Sequence, residues 1–236
     1  MTQFANHVAI VTGGTSGIGK AIAQRLAAAG AKVFVIGRDR AKLDALRAET
    51  PAIAVHAADV ADEAQVQAAI AACRAQLGPV TILVNNAGLG IPTPDLATTD
   101  VAALRTMLET NVVGSFLCSK AVLPDMKAAG AGHIINLVSV VGKKTNPLAP
   151  LYCTSKFGQR GFSSGLADQV LPLGIKVTDL NPGATDTAYW GERQVPRQKF
   201  LQPADVAEAA LFVLSLPPHV LIRELDLESM HMLRKS

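Results

Sequence analysis

The sequence predicts an α/β fold built on a doubly wound, mostly seven-stranded parallel sheet with helices on both faces. Short, nearly continuous apolar runs alternate with segments of helical periodicity along almost the whole chain, as is typical of a parallel sheet covered on both sides. A glycine-rich turn joins the first apolar run to the first helix. Because 236 residues suit one large domain and crossovers are right-handed, we expect a single Rossmann domain over residues 1–236.

Each predicted strand is a short, mainly apolar run bounded by glycine, proline or polar residues. The first run breaks at Gly13-Gly14, where the chain must turn towards a helix. The strands are predicted, in chain order, at 8–12, 32–36, 52–57, 81–84, 133–138, 176–180 and 221–227.

The predicted helices lie between these runs and carry apolar residues at helical spacing. Gly30 stops the first, Gly78-Pro79 closes the third and Pro203 starts the last. Pro124 is expected to bend or end the long fourth helix. The helices are predicted at 18–29, 40–49, 64–77, 101–127, 152–170 and 203–216.

Composition excludes several classes of function. Lys and Arg exceed Asp and Glu by only 22 − 19 = 3, so no nucleic acid partner is predicted. No apolar stretch is long enough to cross a membrane, and the first residues lack the form of a signal peptide. The three cysteines have no pairing pattern, which indicates a reducing, cytoplasmic location. The five histidines have no ligand spacing, so no metal is predicted.

The glycine-rich turn after the first strand suits a dinucleotide phosphate. Gly13, Gly17 and Gly19 permit a tight turn and a close approach to the backbone, while the following helix offers free N–H groups at its positive end. The alternative is a glycine-rich turn needed only for close packing. Its place after the first strand of such a fold favours nucleotide binding.

Tyr152 and Lys156 lie four residues apart in the fifth predicted helix. That spacing places both side chains on one face, where an ammonium lowers the pKa of a phenol from its usual value of about 10. Such a tyrosine exchanges a proton with a carbonyl or an alcohol oxygen. The alternative for this pair alone is a tyrosine at the core edge beside a solvated lysine.

Several motifs in order resemble the short-chain dehydrogenase/reductase family, in its branch with a single dinucleotide-binding and catalytic domain. The resemblance runs from the first strand to about Thr187. The motifs are Thr-Gly-x-x-x-Gly-x-Gly at 12–19, Asp59-Val60, Asn85-Asn86-Ala87-Gly88, the set Asn111, Ser139, Tyr152 and Lys156, and Pro182-Gly183 with Thr187.

The resemblance implies an active oxidoreductase that moves a hydride between a nicotinamide and a carbonyl or secondary alcohol. Tyr152 would be the acid–base group, Ser139 would bind the substrate oxygen, and Lys156 would lower the tyrosine pKa and bind the nicotinamide ribose. Asn111 would hold a water in a proton relay to Lys156. The alternative is a catalytically idle NAD(P)-binding protein that senses redox state or serves as a partner.

The resemblance also implies the cofactor contacts. The glycine loop would take the pyrophosphate, the 59–60 pair the adenine, and the 182–187 segment the nicotinamide amide. The full set is Gly13, Thr15, Ser16, Gly17, Ile18, Gly19, Arg38, Asp59, Val60, Asn86, Ala87, Gly88, Tyr152, Lys156, Pro182, Gly183 and Thr187.

The end of the second strand predicts NADP rather than NAD, although NAD is also possible. Gly37 stands where NAD-preferring relatives usually carry aspartate, and the guanidinium of Arg38 suits a 2′-phosphate. Asp39 argues for NAD, but it is also placed to cap the next helix. Thr15 and Ser16 are further donors for the phosphate.

The remaining predictions concern the substrate and the assembly. The loops 89–99 and 184–202 follow strands and are expected over the carboxyl edge of the sheet. Aromatic residues of the second loop would line a substrate pocket or pack the loop down. Lys143-Lys144 would attract an anionic substrate or belong to a solvated loop. Large apolar residues on the helices 101–127 and 152–170 predict a homodimer or homotetramer.

Overall fold

A seven-stranded parallel sheet forms the centre of the computed structural model, which describes residues 3–93 and 95–234. The strand order is β3-β2-β1-β4-β5-β6-β7, so β2 and β3 lie on one side of β1 and β4 to β7 on the other, as in a doubly wound sheet. The strands are β1 Val8–Thr12, β2 Lys32–Gly37, β3 Ile53–Ala57, β4 Ile82–Asn85, β5 Gly132–Leu137, β6 Ile175–Pro182 and β7 Glu224–Leu227.

Helices cover both faces of this sheet, and their order confirms the predicted alternation with the strands. They are α1 Gly17–Ala28, α2 Arg40–Glu49, α3 Glu63–Leu77, α4 Val101–Leu108, α5 Gly114–Ala129, α6 Pro150–Val170, α7 Pro203–Ser215 and α8 Met230–Leu233. Short 3-10 turns connect several of them. None of the described helices is long and apolar enough to cross a membrane.

Two hydrophobic cores lie on opposite faces of the sheet. Alternate residues of β1 serve the two cores: Val11 packs with residues of α1, α2 and α7, and Ile10 with residues of α3, α5 and α6. Both side chains are fully buried. This double burial explains why the strand reads as a continuous apolar run rather than as an alternating one.

The predicted helix 101–127 is wrong in one respect. The chain forms α4, then a π-helical turn at Glu109–Val113, then α5. The interruption falls at Asn111 and not at Pro124, which lies inside α5. Val122 and Met126, on either side of the proline, are fully buried, so packing keeps this turn helical despite the missing N–H.

The C-terminal part also differs from the prediction. The seventh strand is only Glu224–Leu227, and the short helix α8 follows it. In contrast, β6 is longer than predicted and extends to Pro182. Pro94 in the predicted loop 89–99 and residues 1–2 lie outside the described residues. The carboxyl ends of β1, β4, β5 and β6 meet at one edge of the sheet, where the predicted site residues follow the strands.

Candidate active site

The glycine loop after β1 is held against the loop after β4. The Thr12 hydroxyl accepts hydrogen bonds from the backbone N–H groups of Asn86 and Ala87, at 3.1 and 3.0 Å. The Asn86 amide donates to the carbonyls of Thr12 and Gly13, at 2.9 and 3.1 Å. Asn86 and Ala87 therefore fix the shape of the loop.

The three glycines of the loop are required for different reasons. Gly13 has a φ of +64°, and a Cβ there would lie 2.9 Å from the Ala87 Cα. A Cβ on Gly19 would overlap the Asn86 amide. Gly17 has a φ of +52° and lies opposite the Thr187 methyl group. Close packing thus accounts for Gly13 and Gly19, whereas Gly17 faces the loop after β6.

The donors at the start of α1 suit a diphosphate. Ser16 is the N-cap residue, but its side chain makes no capping hydrogen bond, and the first turn contains no acidic residue. Ile18, the second residue of α1, packs against the core that contains Val11. The free N–H groups, the helix dipole and the hydroxyl together fit the pyrophosphate of a dinucleotide.

Arg38 is exposed at the end of β2, with its guanidinium 3.7 Å from the Asp59 carboxylate. Asp39 accepts a hydrogen bond from the Lys42 N–H at 3.1 Å as the N-cap of α2. That bond holds the pKa of Asp39 below its usual value. Thr15 lies against Gly37, since a Cβ on Gly37 would be 3.1 Å from its methyl group. Arg38 and Thr15 therefore flank one exposed surface.

Val60 lies deeper than its neighbour Asp59. Its side chain is buried and packs so closely on α5 that a Cβ on Gly114 would be 2.7 Å from it. Asp59 accepts a hydrogen bond from the Ala61 N–H at 3.0 Å. An adenine at this position would meet the Asp59 side chain and the backbone of Val60.

Asn111 lies in the π-helical turn and is fully buried. Its amide oxygen accepts from the Leu89 N–H, and its amide nitrogen donates to the Leu89 carbonyl, both at 2.9 Å. The nitrogen also donates to the Ser155 hydroxyl at 2.8 Å. Gly88 lies between Asn111 and Lys156, because a Cβ there would be 3.2 Å from the Asn111 oxygen and 3.5 Å from the Lys156 ammonium.

Tyr152 and Lys156 lie on one face of α6, as their spacing predicts. The Lys156 Nζ is 5.8 Å from the centre of the Tyr152 ring. It donates instead to the Leu137 carbonyl and to the Gln159 Oε1, each at 2.8 Å. Lys156 is 4% exposed, so it is not a solvated lysine.

The predicted effect of Lys156 on Tyr152 is wrong for the protein alone. Burial raises the pKa of Tyr152 above its usual value, with smaller contributions from Tyr189 and Cys153. Burial also lowers the pKa of Lys156 to about 7, and Asp179 opposes that change. The charge of the lysine alone would lower the pKa of the tyrosine, whereas desolvation is the larger effect at this site.

Ser139 follows β5 and caps a 3-10 turn at Val140–Gly142. Its hydroxyl accepts from the Val141 N–H at 3.3 Å and donates to the Pro182 carbonyl at 3.2 Å. The turn packs on α6, since a Cβ on Gly142 would be 3.1 Å from the Lys156 carbonyl oxygen. The side chain thus belongs to the same edge as Lys156.

The segment after β6 closes the site from the other side. The Gly183 N–H donates to the Leu227 carbonyl at 2.7 Å, which fixes the start of the segment to β7. Thr187 caps a 3-10 turn at Ala188–Trp190. The ring centre of Tyr189 lies 5.8 Å from that of Tyr152, and its hydroxyl end packs on Gly90.

Aromatic packing holds this lid, which we define as residues 185–200. The Trp190 ring lies 4.9 Å from the Phe200 ring, and its indole N–H donates to the Thr185 carbonyl at 2.8 Å. The Arg193 guanidinium lies over the rings of Tyr189 and Trp190, at 4.8 and 5.0 Å. The aromatic residues therefore both pack the loop and form the cover of Tyr152.

The two lysines after Ser139 have a structural role. Lys143 forms ion pairs with Glu224 and Asp226, and Lys144 pairs with Glu228. These contacts join the loop after β5 to β7 and neutralise both ammonium groups. The paired carboxylates argue against attraction of an anionic substrate by these lysines.

Two buried polar residues of α6, Gln159 and Ser163, were missed in the sequence. With Lys156 they recur at helical spacing and are buried, and Gln159 donates to the Ser115 hydroxyl of α5 at 2.8 Å. Ser163 donates to the Asp179 carboxylate. The signal was available, because buried polar residues at spacings of three and four interrupt an otherwise apolar helix face.

Residues 7–197 match the family model described as short chain dehydrogenase. An uncharacterised oxidoreductase of Staphylococcus saprophyticus is 34% identical over 229 residues, which cover 95% of this chain and 97% of that protein.

Two solved structures are also similar. The 3-ketoacyl-(acyl-carrier-protein) reductase of Brucella melitensis, complexed with NADH, is 31% identical with a TM-score of 0.90, over 96% of this chain and 98% of that one. The alcohol dehydrogenase of the archaeon Thermococcus sibiricus, complexed with 5-hydroxy-NADP, is 29% identical with a TM-score of 0.88, over 95% and 97% of the two chains.

Proposed function

The chain belongs to the short-chain dehydrogenase family of oxidoreductases, and on that premise we propose an NADP-dependent enzyme for a carbonyl or secondary alcohol substrate. Tyr152 is its acid–base residue. The observation that carries the proposal is the pairing of a buried lysine with a covered tyrosine on α6, beside Asn111. An idle cofactor-binding protein has no need of that costly arrangement.

The bound cofactor supplies the hydride, and the chain supplies the proton and the orientation of the reactants. In the direction of reduction, Tyr152 donates its phenolic proton to the substrate oxygen while Ser139 donates a hydrogen bond to the same atom. The Lys156 ammonium stabilises the phenolate left on Tyr152. Asn111 holds the π-helical turn and the Leu89 backbone next to Lys156. Tyr152 regains its proton from solvent along this side of the site.

Three groups of residues hold the cofactor in this proposal. The start of α1 with Thr15 and Ser16 takes the phosphates, Asp59 and the backbone of Val60 take the adenine, and the 182–187 segment takes the nicotinamide. The backbone of the Asn86–Gly88 turn lies between these groups, with Gly88 next to Lys156.

NADP is the favoured cofactor because of the charges at the end of β2. Arg38 is exposed and makes only a loose ion pair, which leaves its guanidinium available to a 2′-phosphate. Asp39 is occupied as a helix cap and therefore does not serve as the ribose-binding carboxylate of an NAD enzyme. One similar structure is complexed with an NADP analogue and another with NADH. The preference for NADP is therefore proposed from the residues of this chain.

A homodimer or homotetramer is proposed through α5 and α6. Phe116 and Phe157 expose 44% and 41% of their surface on these helices. Phe162 packs edge-on against Phe116, with ring centres 6.0 Å apart. An apolar surface of this kind on two adjacent helices is suited to a two-fold contact with a second copy.

A substrate screen tests the proposed function. The consumption of NADPH and NADH would be followed by their absorbance with ketones, aldehydes and 3-ketoacyl thioesters. The reduction of NADP⁺ would be followed in the same way with secondary alcohols and 3-hydroxy acids. We expect turnover of at least one carbonyl class, with NADPH preferred. Tight cofactor binding by calorimetry without turnover of any class would instead identify a catalytically idle binding protein.

A further inference from the structure

Gln159 is a fully buried polar residue one turn beyond Lys156 on α6. Its side chain makes two hydrogen bonds of 2.8 Å, one to the Lys156 ammonium and one to the Ser115 hydroxyl. The Ser115 hydroxyl in turn donates to the Asn111 carbonyl at 2.9 Å. These contacts connect the proposed acid–base residues to the π-helical turn.

The donor and the acceptor of each hydrogen bond in the series Lys156, Gln159, Ser115 and Asn111 follow from the chemistry of the groups. The backbone carbonyl of Asn111 only accepts, so the Ser115 hydroxyl donates its proton to that oxygen and accepts from the Gln159 amide nitrogen. An ammonium only donates. The Gln159 oxygen must therefore face Lys156, and the alternative orientation of the amide would place two donors against each other.

We propose that Gln159 is a positioning residue that holds Lys156 in its charged form beside Tyr152. A buried ammonium without acceptors loses its proton, and Gln159 Oε1 with the Leu137 carbonyl supplies two acceptors at 2.8 Å. The consequence for turnover rests on the proposed function, whereas the effect on Lys156 itself does not.

Few titratable groups surround Lys156 in the described part of the chain. Tyr152 lies on the same helix, and Tyr189 of the lid covers Tyr152. Asp179 of β6 is the carboxylate whose charge raises the pKa of Lys156. Burial raises the pKa of Asp179 to about 6. Asn111 of the π-helical turn and Ser115 of α5, which bond to Ser155 and Gln159 of α6, are neutral side chains.

The test measures the protonation of Lys156 directly. Protein labelled with ¹³C at lysine Cε would be titrated by NMR, with the Lys156 signal assigned by its loss in Lys156→Met. We expect the midpoint to fall by about one pH unit in Gln159→Leu and to rise by a similar amount in Gln159→Glu, which retains an acceptor and adds charge. Ser119→Ala, which loses a buried hydroxyl one turn beyond Ser115, is the matched control and should leave the midpoint unchanged.

Equal midpoints in wild type and both Gln159 variants would overturn the inference. If Gln159→Leu does not fold, the Gln159→Glu midpoint alone decides it, since no rise would contradict an acceptor role.

Turnover supplies the second readout. Gln159→Leu should lower kcat about 10-fold at pH 8 with little change in substrate KM, and the loss should shrink at pH 6, where Lys156 regains its proton. A loss that is the same at every pH would indicate a purely structural role and contradict the proposal. If the Lys156 midpoint moves as expected but Tyr152→Phe keeps its turnover, the proposed function fails while the contact with Lys156 stands.

Discussion

The Lys156 ammonium lies 5.8 Å from the centre of the Tyr152 ring and donates its hydrogen bonds to Leu137 and Gln159 rather than to the phenol. Burial under Tyr189 raises the pKa of Tyr152 in this state. The tyrosine is therefore protonated in the protein alone, as a proton donor for carbonyl reduction must be. The positive charge next to it stabilises the phenolate formed when that proton leaves.

Tyrosine titration tests this protonation state, because the chain has only two tyrosines. Tyr189→Phe retains the aromatic cover and leaves Tyr152 as the single phenol. Without cofactor, its phenolate absorbance should appear at a clearly higher pH than that of a free tyrosine, whose pKa is about 10. Tyr152→Phe, which retains only Tyr189, is the matched baseline. Phenolate that forms in Tyr189→Phe below about pH 9 would restore the lower pKa that the sequence argument predicts.

Arg38→Ala tests the cofactor preference. Loss of the guanidinium should raise the Kd for NADPH by about 10-fold or more and leave the Kd for NADH within about two-fold, because only the 2′-phosphate uses the charge. Arg40→Ala, an exposed arginine two residues further on at the start of α2, controls for the loss of positive charge. Equal weakening of the two cofactors by Arg38→Ala, or better catalysis with NADH in the wild type, would reverse the assignment.

Asp179→Asn tests the buried carboxyl on β6. Burial raises the pKa of Asp179 from 3.8 to about 6, so the folded state binds the proton more tightly than the unfolded state does. Its contribution to stability is present below about pH 4 and is lost as the pH rises through 6. Between pH 4 and 7 the wild type should lose up to about 3 kcal/mol of unfolding free energy relative to the variant.

Urea denaturation at several pH values provides this measurement. Asp168→Asn, which removes an exposed carboxylate paired with Arg223, should follow the wild-type curve. Parallel stability curves for wild type and Asp179→Asn would contradict the raised pKa of Asp179.

Phe157→Glu tests the proposed assembly. A charge at this exposed position of α6 would be buried in a two-fold contact, so the variant should sediment as a monomer at micromolar concentration. Leu96→Glu, at an exposed residue outside α5 and α6, should keep the wild-type oligomer. A wild type that is itself monomeric at that concentration would remove the proposal.

The sequence predicted the sheet, the order of the elements and the sheet edge at which the candidate site residues lie, because each depends on local signals. Apolar runs mark buried strands, and Gly13 and Gly17 have the positive φ angles that only glycine adopts easily. The helix prediction at Asp39 was confirmed as well, since a side chain that caps a helix acts within three residues.

Longer-range packing was beyond the sequence argument. The π-helical turn at Asn111 depends on contacts with Leu89 and Ser155, and the helical continuity at Pro124 depends on buried neighbours. The protonation of Tyr152 depends on the lid residue Tyr189, which is distant in the chain. The sequence does not show that Lys143 pairs with Asp226 of β7 or that Lys144 pairs with Glu228, the residue after that strand.

Tyr152→Phe is the most direct test of the proposed chemistry. On the best carbonyl substrate from the screen, kcat with NADPH should fall by about 10³-fold, while the Kd for NADPH stays within about two-fold, because the change removes the transferred proton and little volume. Thr154→Ala, which removes an exposed hydroxyl from the same helix, should retain wild-type turnover. Near-normal turnover by Tyr152→Phe would contradict the assignment of Tyr152 as the acid–base residue.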